Sequence, residues 1–331
     1  MPNIQTHAGA AAGVHLLTRT AVSPGRLLAH ILAWLMVGCA TPQGSSSPPV
    51  ARYTLRAEQV AQLNTPGEMR FDASGLLLTP AGELLTLHDK SPMLYRIDYQ
   101  PGTNALHLTP LPAYFNSKQL AHLSKEMVRA YDTEGIAQDE QGRLYICEEC
   151  KRWILRCDPK TDAVERLPID WKEVADYFSK FDTNASFEGI AIGQGKLYVA
   201  NERSSPVIVV VDLKTMKVVD HFVVYSQKPS LLGMHYSDLC WFEGKLWVLL
   251  RQHRVVLQVD PESHAVLAEF DYEDIESALG YKRQFPVGTM EGLAVDQHHI
   301  WLVTDNNGMA RNGHPRDIRP TLLKCPRPDR K

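Results

Sequence analysis

The chain has 331 residues and a formal net charge of −3, and 22% of its residues are charged. This balance leaves no basic surface of the kind that binds nucleic acid, so we exclude nucleic acid as a partner. The hydrophobic content of 44% is ordinary for a protein with a packed core. The length fits either two average domains or one domain built from repeats.

The first 38 residues have the pattern of an export signal. Arg19 and Arg26 precede an apolar run, 27–37, that is too short to span a bilayer as a stable helix. The run ends at Gly38, directly before Cys39, which resembles the lipobox of bacterial lipoproteins, where the cysteine is acylated. We expect a signal peptide at 1–38 and a lipidated Cys39, with an ordinary cleaved signal or a buried free cysteine as alternatives.

A short tether and one folded domain are expected after the signal. Residues 39–50 are rich in serine and proline, which is typical of a flexible tether, and 51–331 are expected to form the domain. By analogy with other lipoproteins, Ala40 after the lipidated cysteine favours the outer membrane. We expect the protein to lie on the periplasmic face of that membrane, with the lipid as its only membrane contact. We also expect it to be a monomer.

The expected domain contains five further cysteines. They are Cys147, Cys150, Cys157, Cys240 and Cys325. In an oxidising periplasm, one disulfide among the first three is one interpretation, since they lie close together on one predicted hairpin. Buried thiols are a second interpretation. A zinc site is a third, although no second cysteine pair with ligand spacing occurs.

A short motif returns five times along the chain. It starts at Ser74, Glu134, Glu188, Ser237 and Glu291. Four copies continue with a glycine, which we expect to allow close approach of neighbouring strands. In the second copy, short apolar runs at 135–138, 143–147, 153–157 and 163–167 are separated by turn residues. Four short antiparallel strands per unit, repeated radially, predict an all-β protein with the β-propeller architecture.

The spacing of the motif sets the number of blades. The intervals between positions 74, 134, 188, 237 and 291 are 60, 54, 49 and 54 residues, which predicts five blades and leaves a sixth open if a terminal unit has lost its motif. The last unit contains only three strands. We therefore expect Ala51–Leu55 to supply its outermost strand and close the ring.

The intervals exceed the roughly 40–45 residues of a common blade because three connections carry insertions. These are 114–131, 171–186 and 272–289. Each contains a helix-like piece, as in the apolar spacing of Leu120, Leu123 and Met127. Insertions in one type of connection lie on one face of the ring, commonly the binding face, although they are also explained as padding of the loops.

The start of an inner strand and the end of the second strand meet at one edge of a sheet, because successive strands run in opposite directions. We therefore expect two sets of side chains at the mouth of the central channel. The first set is Ser74, Glu134, Glu188, Ser237 and Glu291, and the second is Asp89, Glu149, Glu202, Arg251 and Asp305. Converging carboxylates repel unless cations or protons intervene, which favours calcium or another divalent metal. The alternative is that each glutamate only accepts backbone N–H bonds in its own blade.

Departures from the repeat are candidates for ligand binding. Arg251 replaces an acid and is suited to clamping a phosphate or carboxylate, or to pairing with a neighbouring glutamate. Ser74, Ser237 and Asp238 also depart from the motif of the other copies. We therefore count them, like Arg251, as candidates for ligand binding.

Two histidines flank the predicted mouth. His88 and His235 are acid–base candidates, with an ordinary hydrogen-bonded histidine as the alternative. No catalytic residue is assigned, since no Ser-His-Asp order, nucleophile elbow or phosphate loop is present. Aromatic residues that recur at one strand position are expected between the blades. They are Tyr145, Tyr198, Trp247 and Trp301.

Three sequence features together resemble a known family. They are the repeated Glu-Gly-Ile-Ala, the variant at 236–239 and the Thr-Asp-Asn-Asn-Gly ending at 304–308. Over 70–310 the chain resembles the bacterial propellers grouped as esterase-like phytases and the related SdiA-regulated proteins. The resemblance implies calcium in or near the channel and, in true propeller phytases, several calcium ions holding a phosphate ester.

Two functions follow as expectations. One is a metal-dependent hydrolase of a phosphoester, ester or lactone, with the seven carboxylates of the mouth as metal ligands. The other is an envelope propeller that captures a small anionic ligand or a partner without turnover. The basic residues near the predicted mouth are Lys90, Arg203 and Arg251.

Overall fold

The computed structural model describes residues 49–68, 70–127, 131–182, 184–230, 232–281 and 288–328. The predicted signal peptide, Cys39 and most of the predicted tether lie outside these ranges. Within these ranges, no helix has the length and apolar character needed to cross a membrane.

Short strands dominate the described chain. Before and within the first repeat they are β1 (Ala51–Thr54), β2 (Gln59–Asn64), β3 (Ala73–Leu78), β4 (Leu84–His88), β5 (Ser91–Asp98) and β6 (Ala105–Pro110). The second repeat contains β7 (Thr133–Gln138), β8 (Leu144–Glu148), β9 (Trp153–Asp158) and β10 (Ala163–Arg166). The third contains β11 (Phe187–Gly193), β12 (Lys196–Asn201), β13 (Val207–Asp212) and β14 (Lys217–Phe222). The fourth and fifth contain β15 (Tyr236–Phe242), β16 (Lys245–Leu250), β17 (Val255–Val259), β18 (Val266–Asp271), β19 (Met290–Val295), β20 (His299–Thr304) and β21 (Thr321–Pro326).

The strands of each repeat pair in chain order as an antiparallel sheet. The innermost strands β3, β7, β11, β15 and β19 each pack on the next, and β19 packs on β3, so they surround a common axis. The predicted all-β propeller with four-stranded antiparallel sheets is therefore confirmed. The described residues contain five such inner strands, one for each copy of the motif.

The strand that completes the last sheet differs from the prediction. β2 pairs antiparallel with β21, whereas β1, at the predicted position, pairs parallel with β18 of the fourth repeat. Burial explains the choice. Ala61 and Leu63 of β2 are fully buried, but β1 alternates half-buried and exposed residues, which suits an edge strand. The prediction that Ala51–Leu55 closes the ring was therefore wrong.

The three predicted insertions contain helical segments. The first holds α1 (Ser117–Ser124), which is capped by Asn116 and packs Leu120 and Leu123 into the core. The second holds a 3₁₀ segment, Lys172–Tyr177, and the third holds α2 (Glu273–Leu279). Each lies between the last strand of one repeat and the inner strand of the next, so all three enter at the same edge, as predicted.

Each inner strand carries a β-bulge at the motif, where the pairing register with the second strand shifts. Glycine is required in the motif because the backbones of neighbouring inner strands approach each other closely there. A Cβ at Gly135 would lie 2.5 Å from the backbone nitrogen of Ile190 on the next inner strand. No larger residue fits without moving that strand, which confirms the expected role of the glycine.

Asp238 occupies the glycine position in the fourth copy and is fully buried. Its carboxylate accepts backbone N–H bonds from Leu239 (2.8 Å), from Leu76 of β3 (3.2 Å) and from Leu293 of β19 (2.7 Å). Burial raises the pKa of this carboxyl well above its usual range, and the three N–H bonds oppose that rise. Asp238 was expected to bind a ligand, but its oxygens instead hold three inner strands together.

The recurring aromatic residues are buried between the sheets, as expected. Tyr145, Tyr198, Trp247 and Trp301 are all at most 5% exposed. Among the described cysteines, Cys147, Cys157 and Cys325 are buried and form no disulfide. The disulfide interpretation is therefore not realised, and the buried-thiol interpretation describes these three.

We expect Asp238→Asn to lower the free energy of unfolding by about 1–3 kcal/mol, because an amide group cannot accept bonds at both oxygen positions. Asp238→Gly, which restores the repeat, should also destabilise the protein, since the N–H groups of Leu76 and Leu293 lose their acceptor. Urea unfolding measures both changes, with Asp220→Asn on the exposed strand β14 as a control. Wild-type stability in both variants would show that Asp238 does not hold the inner strands together.

Candidate functional site

One backbone hydrogen bond recurs at the predicted mouth and joins the two predicted sets of side chains. In four of the five repeats, the residue after the second strand donates its N–H to the carbonyl of the residue two positions before the motif. The bonds are Asp89 to Asp72 (3.0 Å), Glu149 to Asp132 (2.8 Å), Glu202 to Ser186 (2.7 Å) and Asp305 to Thr289 (2.9 Å). The strand ends therefore meet at one edge, as the strand directions predict.

These side chains surround a cavity of about 140 Å³. Eight of the ten predicted residues line it. They are Ser74, Asp89, Glu134, Glu188, Glu202, Arg251, Glu291 and Asp305. Glu149 lies beside this lining, and Ser237 is buried with no hydrogen-bond partner for its Oγ among the described residues.

Five carboxylates on one side of the mouth form two groups of three. Oxygens of Asp132, Glu134 and Glu149 lie within 4.8 Å of one another, and so do oxygens of Glu149, Glu188 and Glu202. We call these five residues the acidic arc. Two oxygens bound to one calcium at about 2.4 Å are separated by at most about 4.8 Å, so each group has the size and the hard donors that calcium requires.

Burial and mutual repulsion oppose ionisation of three glutamates of the acidic arc. Burial, and then the charge of Glu149, raise the pKa of Glu134 well above its usual range. Burial, and then the charges of Glu134 and Glu149, do the same to the pKa of Glu188. Burial and the charge of Asp132 raise the pKa of Glu149 to about 8. These three glutamates therefore need protons or cations at neutral pH.

Three basic residues line the mouth beside the acidic arc, and each contacts two carboxylates. Arg251 donates to Glu202 at 2.6 Å and also pairs with Glu291. Arg203 likewise pairs with Glu202 and with Asp182. For Arg251, the structure shows the pairing with neighbouring glutamates that was the alternative to an anion clamp.

Lys90 bridges the other end of the mouth. Its Nζ lies 2.6 Å from Asp89 and 2.9 Å from Asp132, and its side chain is 58% exposed at the rim. Burial opposes ionisation of Asp89, but hydrogen bonds from His88 and Lys90 outweigh it and lower the pKa of Asp89. Asp89 is thus neutralised by lysine and lies outside both groups of the arc.

The two predicted histidines have different surroundings. The Nδ1 of His88 lies 3.0 Å from Asp89, and its ring packs on Phe71. The Nδ1 of His235 lies 3.4 Å from Glu202. Burial, and then the positive charges of Arg251 and Arg203, lower the pKa of His235 to about 3, so its imidazole is neutral at pH 7.

Asp305 differs from the acids of the arc. Burial raises its pKa to about 7, against an opposing backbone N–H bond from Asn307 (2.6 Å). Among the described residues it belongs to neither group with metal-binding spacing. It therefore lines the mouth as an acid that changes its charge near neutral pH.

Sequence reasoning missed three polar residues that line the cavity: Asp132, Asn184 and Asn307. A signal for Asp132 was present, because Asp72 and Asp132 both stand two residues before the first residue of the motif. Asn184 lies in the 171–186 insertion, outside the repeat, and nothing in the pattern distinguishes it.

Ser74 and Glu134 occupy the same motif position in neighbouring repeats, and their side chains are hydrogen-bonded. The Oγ of Ser74 donates to the carboxylate of Glu134, and it lies 3.1 Å from the backbone carbonyl of the same residue. The serine thus replaces a repelling carboxylate with a donor, which lowers the charge on that side of the ring.

Comparison with solved structures identifies propellers. Glutaminyl cyclase from Myxococcus xanthus is 14% identical, with 84% of this chain and 97% of that chain covered and a TM-score of 0.55. Virginiamycin B lyase from Staphylococcus aureus is 12% identical, with 76% and 66% covered and a TM-score of 0.39. At these identities the likeness concerns the fold alone. Comparison with curated proteins gave no match.

The family comparison is more specific. A family model described as phytase-like, with esterase-like activity of phytase, matches residues 51–308. The match spans the inner strands of all five repeats and every residue found at the mouth. The chain therefore belongs to this phytase-like family.

Proposed function

We propose that the mouth binds divalent cations, calcium first, and that the loaded protein hydrolyses an anionic ester, with a phosphate ester as the first candidate. The observation that carries the proposal is the acidic arc, in which Glu149 belongs to two groups of three carboxylates with metal-binding spacing. Family membership supports the choice of a phosphate ester.

Asp132, Glu134, Glu149, Glu188 and Glu202 would hold the cations. All their donors are carboxylate oxygens from loops and strand ends, and such irregular sets suit calcium better than the strict octahedron of magnesium. When bound, a divalent cation supplies Lewis-acid polarisation of a phosphoryl or carbonyl oxygen.

The other residues of the mouth have separate tasks in this proposal. Arg251, Arg203 and Lys90 carry fixed positive charge at the mouth and would bind and orient an anionic group. Asp305, with a pKa of about 7, would take a proton from the attacking water and return it to the leaving group. His235 is a poorer base because its pKa is lowered to about 3.

The size of the cavity limits what enters it. At about 140 Å³ it is well below the roughly 300–1,000 Å³ of pockets that enclose a whole small molecule. The reacting group would therefore enter the mouth, and the remainder of the substrate would stay outside. A substrate with a small anionic group on a larger body fits this arrangement.

A second candidate function is capture of a small anionic ligand without turnover. The observation that favours it is the pairing of each basic residue with two carboxylates, so an incoming anion must displace partners that are already in place. Metal-dependent binding of inorganic phosphate without hydrolysis of any ester tested would support this alternative.

We also propose that the protein is a monomeric lipoprotein of the cell envelope, anchored at Cys39 on the periplasmic face of the outer membrane. The support is the lipobox-like sequence that ends the apolar run. Cys39→Ala should move the protein from the membrane fraction to the soluble fraction and abolish labelling by a palmitate analogue. Unchanged fractionation and an unlabelled wild type would contradict the anchor.

We expect calcium to raise the melting temperature more at about pH 8 than at about pH 5.5. The pKa of Glu149 rises from 4.5 to about 8 on folding, so the metal-free folded state binds this proton more tightly than the unfolded chain does. The stabilisation from that proton is complete below pH 4.5 and is lost as the pH rises through 8. Calcium replaces the proton at high pH and competes with it at low pH. Thermal unfolding with calcium or chelator measures the difference.

A matched pair of variants tests the assignment. Glu149→Gln keeps an oxygen for the N–H of Ser186 but removes the charge common to both groups, so its melting temperature should respond less to calcium. Glu243→Gln, in an exposed pair with Arg327, should respond like the wild type. An equal response of Glu149→Gln and wild type, or no response in the wild type, would contradict the metal site.

We expect calcium-dependent hydrolysis of p-nitrophenyl phosphate, with kcat/KM rising through about pH 7 as Asp305 loses its proton. Asp305→Asn should lower kcat by about 100-fold or more and remove this pH dependence, while calcium still stabilises the variant. An unchanged pH profile in Asp305→Asn would overturn its role as the base.

In the same assay, Arg251→Gln should raise KM for p-nitrophenyl phosphate about tenfold and change KM for p-nitrophenyl acetate little.

A further inference from the structure

Helix α2 carries a buried carboxylate that the proposed chemistry does not use. Glu276 is 1% exposed. One oxygen accepts from the Nε of Arg254 at 2.7 Å, and the other accepts from the backbone N–H (2.6 Å) and the hydroxyl (3.0 Å) of Thr289. The insertion is thereby joined both to the turn after β16 and to the segment before β19.

Another junction between repeats shows what this carboxylate replaces. Ser186 has the same repeat position as Thr289, two residues before the motif glutamate. The N–H of Ser186 donates to the side chain of Glu149 at 3.1 Å, and Glu149 is the residue that follows the second strand of the preceding repeat. At the fourth repeat that position is Arg251, which has no acceptor to offer. Glu276 supplies the missing acceptor from the insertion.

Because Glu276 accepts the N–H of Thr289, the side chain at position 251 is not needed for this backbone contact. Arg251 extends to Glu202 and Glu291 instead of serving the neighbouring backbone. In the same turn, the backbone N–H of Arg254 donates to the carbonyl of Arg251 at 3.1 Å. The buried pair thus constrains the chain immediately after Arg251.

The same pair also constrains the other side of the mouth. The carbonyl of Thr289 accepts the N–H of Asp305 at 2.9 Å, and Glu291 follows two residues later. A single buried carboxylate is therefore linked through short hydrogen bonds to the backbone next to Arg251, Glu291 and Asp305.

We propose that Glu276 and Arg254 are positioning residues that hold Arg251 against Glu291, and that the α2 insertion thereby sets the preference of the mouth for anionic substrates. The inference rests on the proposed function for its substrate class. Its geometric part, the placement of Arg251, is independent of turnover.

The test compares Glu276→Gln with a matched control, Glu269→Gln. In the first variant the new side chain retains an oxygen for Thr289 but loses the charge that pairs with Arg254. Glu269 is also buried, accepts one backbone N–H from Gln227 at 2.6 Å and lies 3.7 Å from Arg52, but it is on the outer strand β18. Both variants lose one buried charge, so a general loss of stability should affect both.

We expect Glu276→Gln to raise KM for p-nitrophenyl phosphate about tenfold, with little change in KM for p-nitrophenyl acetate or in the calcium response of the melting temperature. Glu269→Gln should leave the ratio of the two KM values unchanged. Equal KM changes for both substrates in Glu276→Gln would overturn the role in selectivity. If this variant does not fold, Arg254→Lys, which keeps the charge, provides the same comparison.

A structural readout separates this inference from the proposed function. Crystal structures of wild type and Glu276→Gln should show Arg251 in contact with Glu291 in the first and displaced in the second. If neither ester is hydrolysed but Arg251 is displaced, the proposed function fails and the positioning role stands. If Arg251 keeps its place in Glu276→Gln, the positioning role is refuted, whatever the activity.

Discussion

The close approach of the inner strands is the constraint on which the rest of the molecule depends. At Gly135 there is no room for a methyl group beside the next inner strand. Each inner strand is bulged at the motif and carries the first motif residue, so strands packed this tightly bring their acidic side chains together. Close packing that stabilises the ring therefore creates a concentration of negative charge that the fold must neutralise.

The neutralisation is uneven around the ring, and the departures from the repeat produce the unevenness. Ser74 replaces a carboxylate with a hydroxyl that donates to Glu134. Arg251 replaces an acid with a cation between Glu202 and Glu291. On the stretch that contains Glu134, Glu149 and Glu188, burial and mutual repulsion instead drive the pKa values of the carboxyls upward.

The repeat was sufficient to predict the fold and the edge where the site lies, because glycine spacing and strand direction are local properties of the chain. It could not predict which strand closes the ring, since β1 and β2 are both short and only packing against β21 distinguishes them. Nor could it predict the role of Asp238, because two of the three N–H groups that its carboxylate accepts come from strands distant in sequence. The repeat contains a signal for Asp132, but it could not predict that Asp132 lies close to Glu149, because that distance depends on how two strand ends meet.

The placement of fixed positive charge directly beside the acidic arc has a chemical consequence. A ring of identical carboxylates would bind cations on the axis and repel every anion. With Arg251 in place of one acid, and with Glu276 taking over the backbone contact that an acid makes elsewhere, a cation and an anion can be held next to each other. Adjacent binding of opposite charges is what the proposed hydrolysis of an anionic ester requires, and the departures from the repeat, rather than the repeat itself, place those charges together.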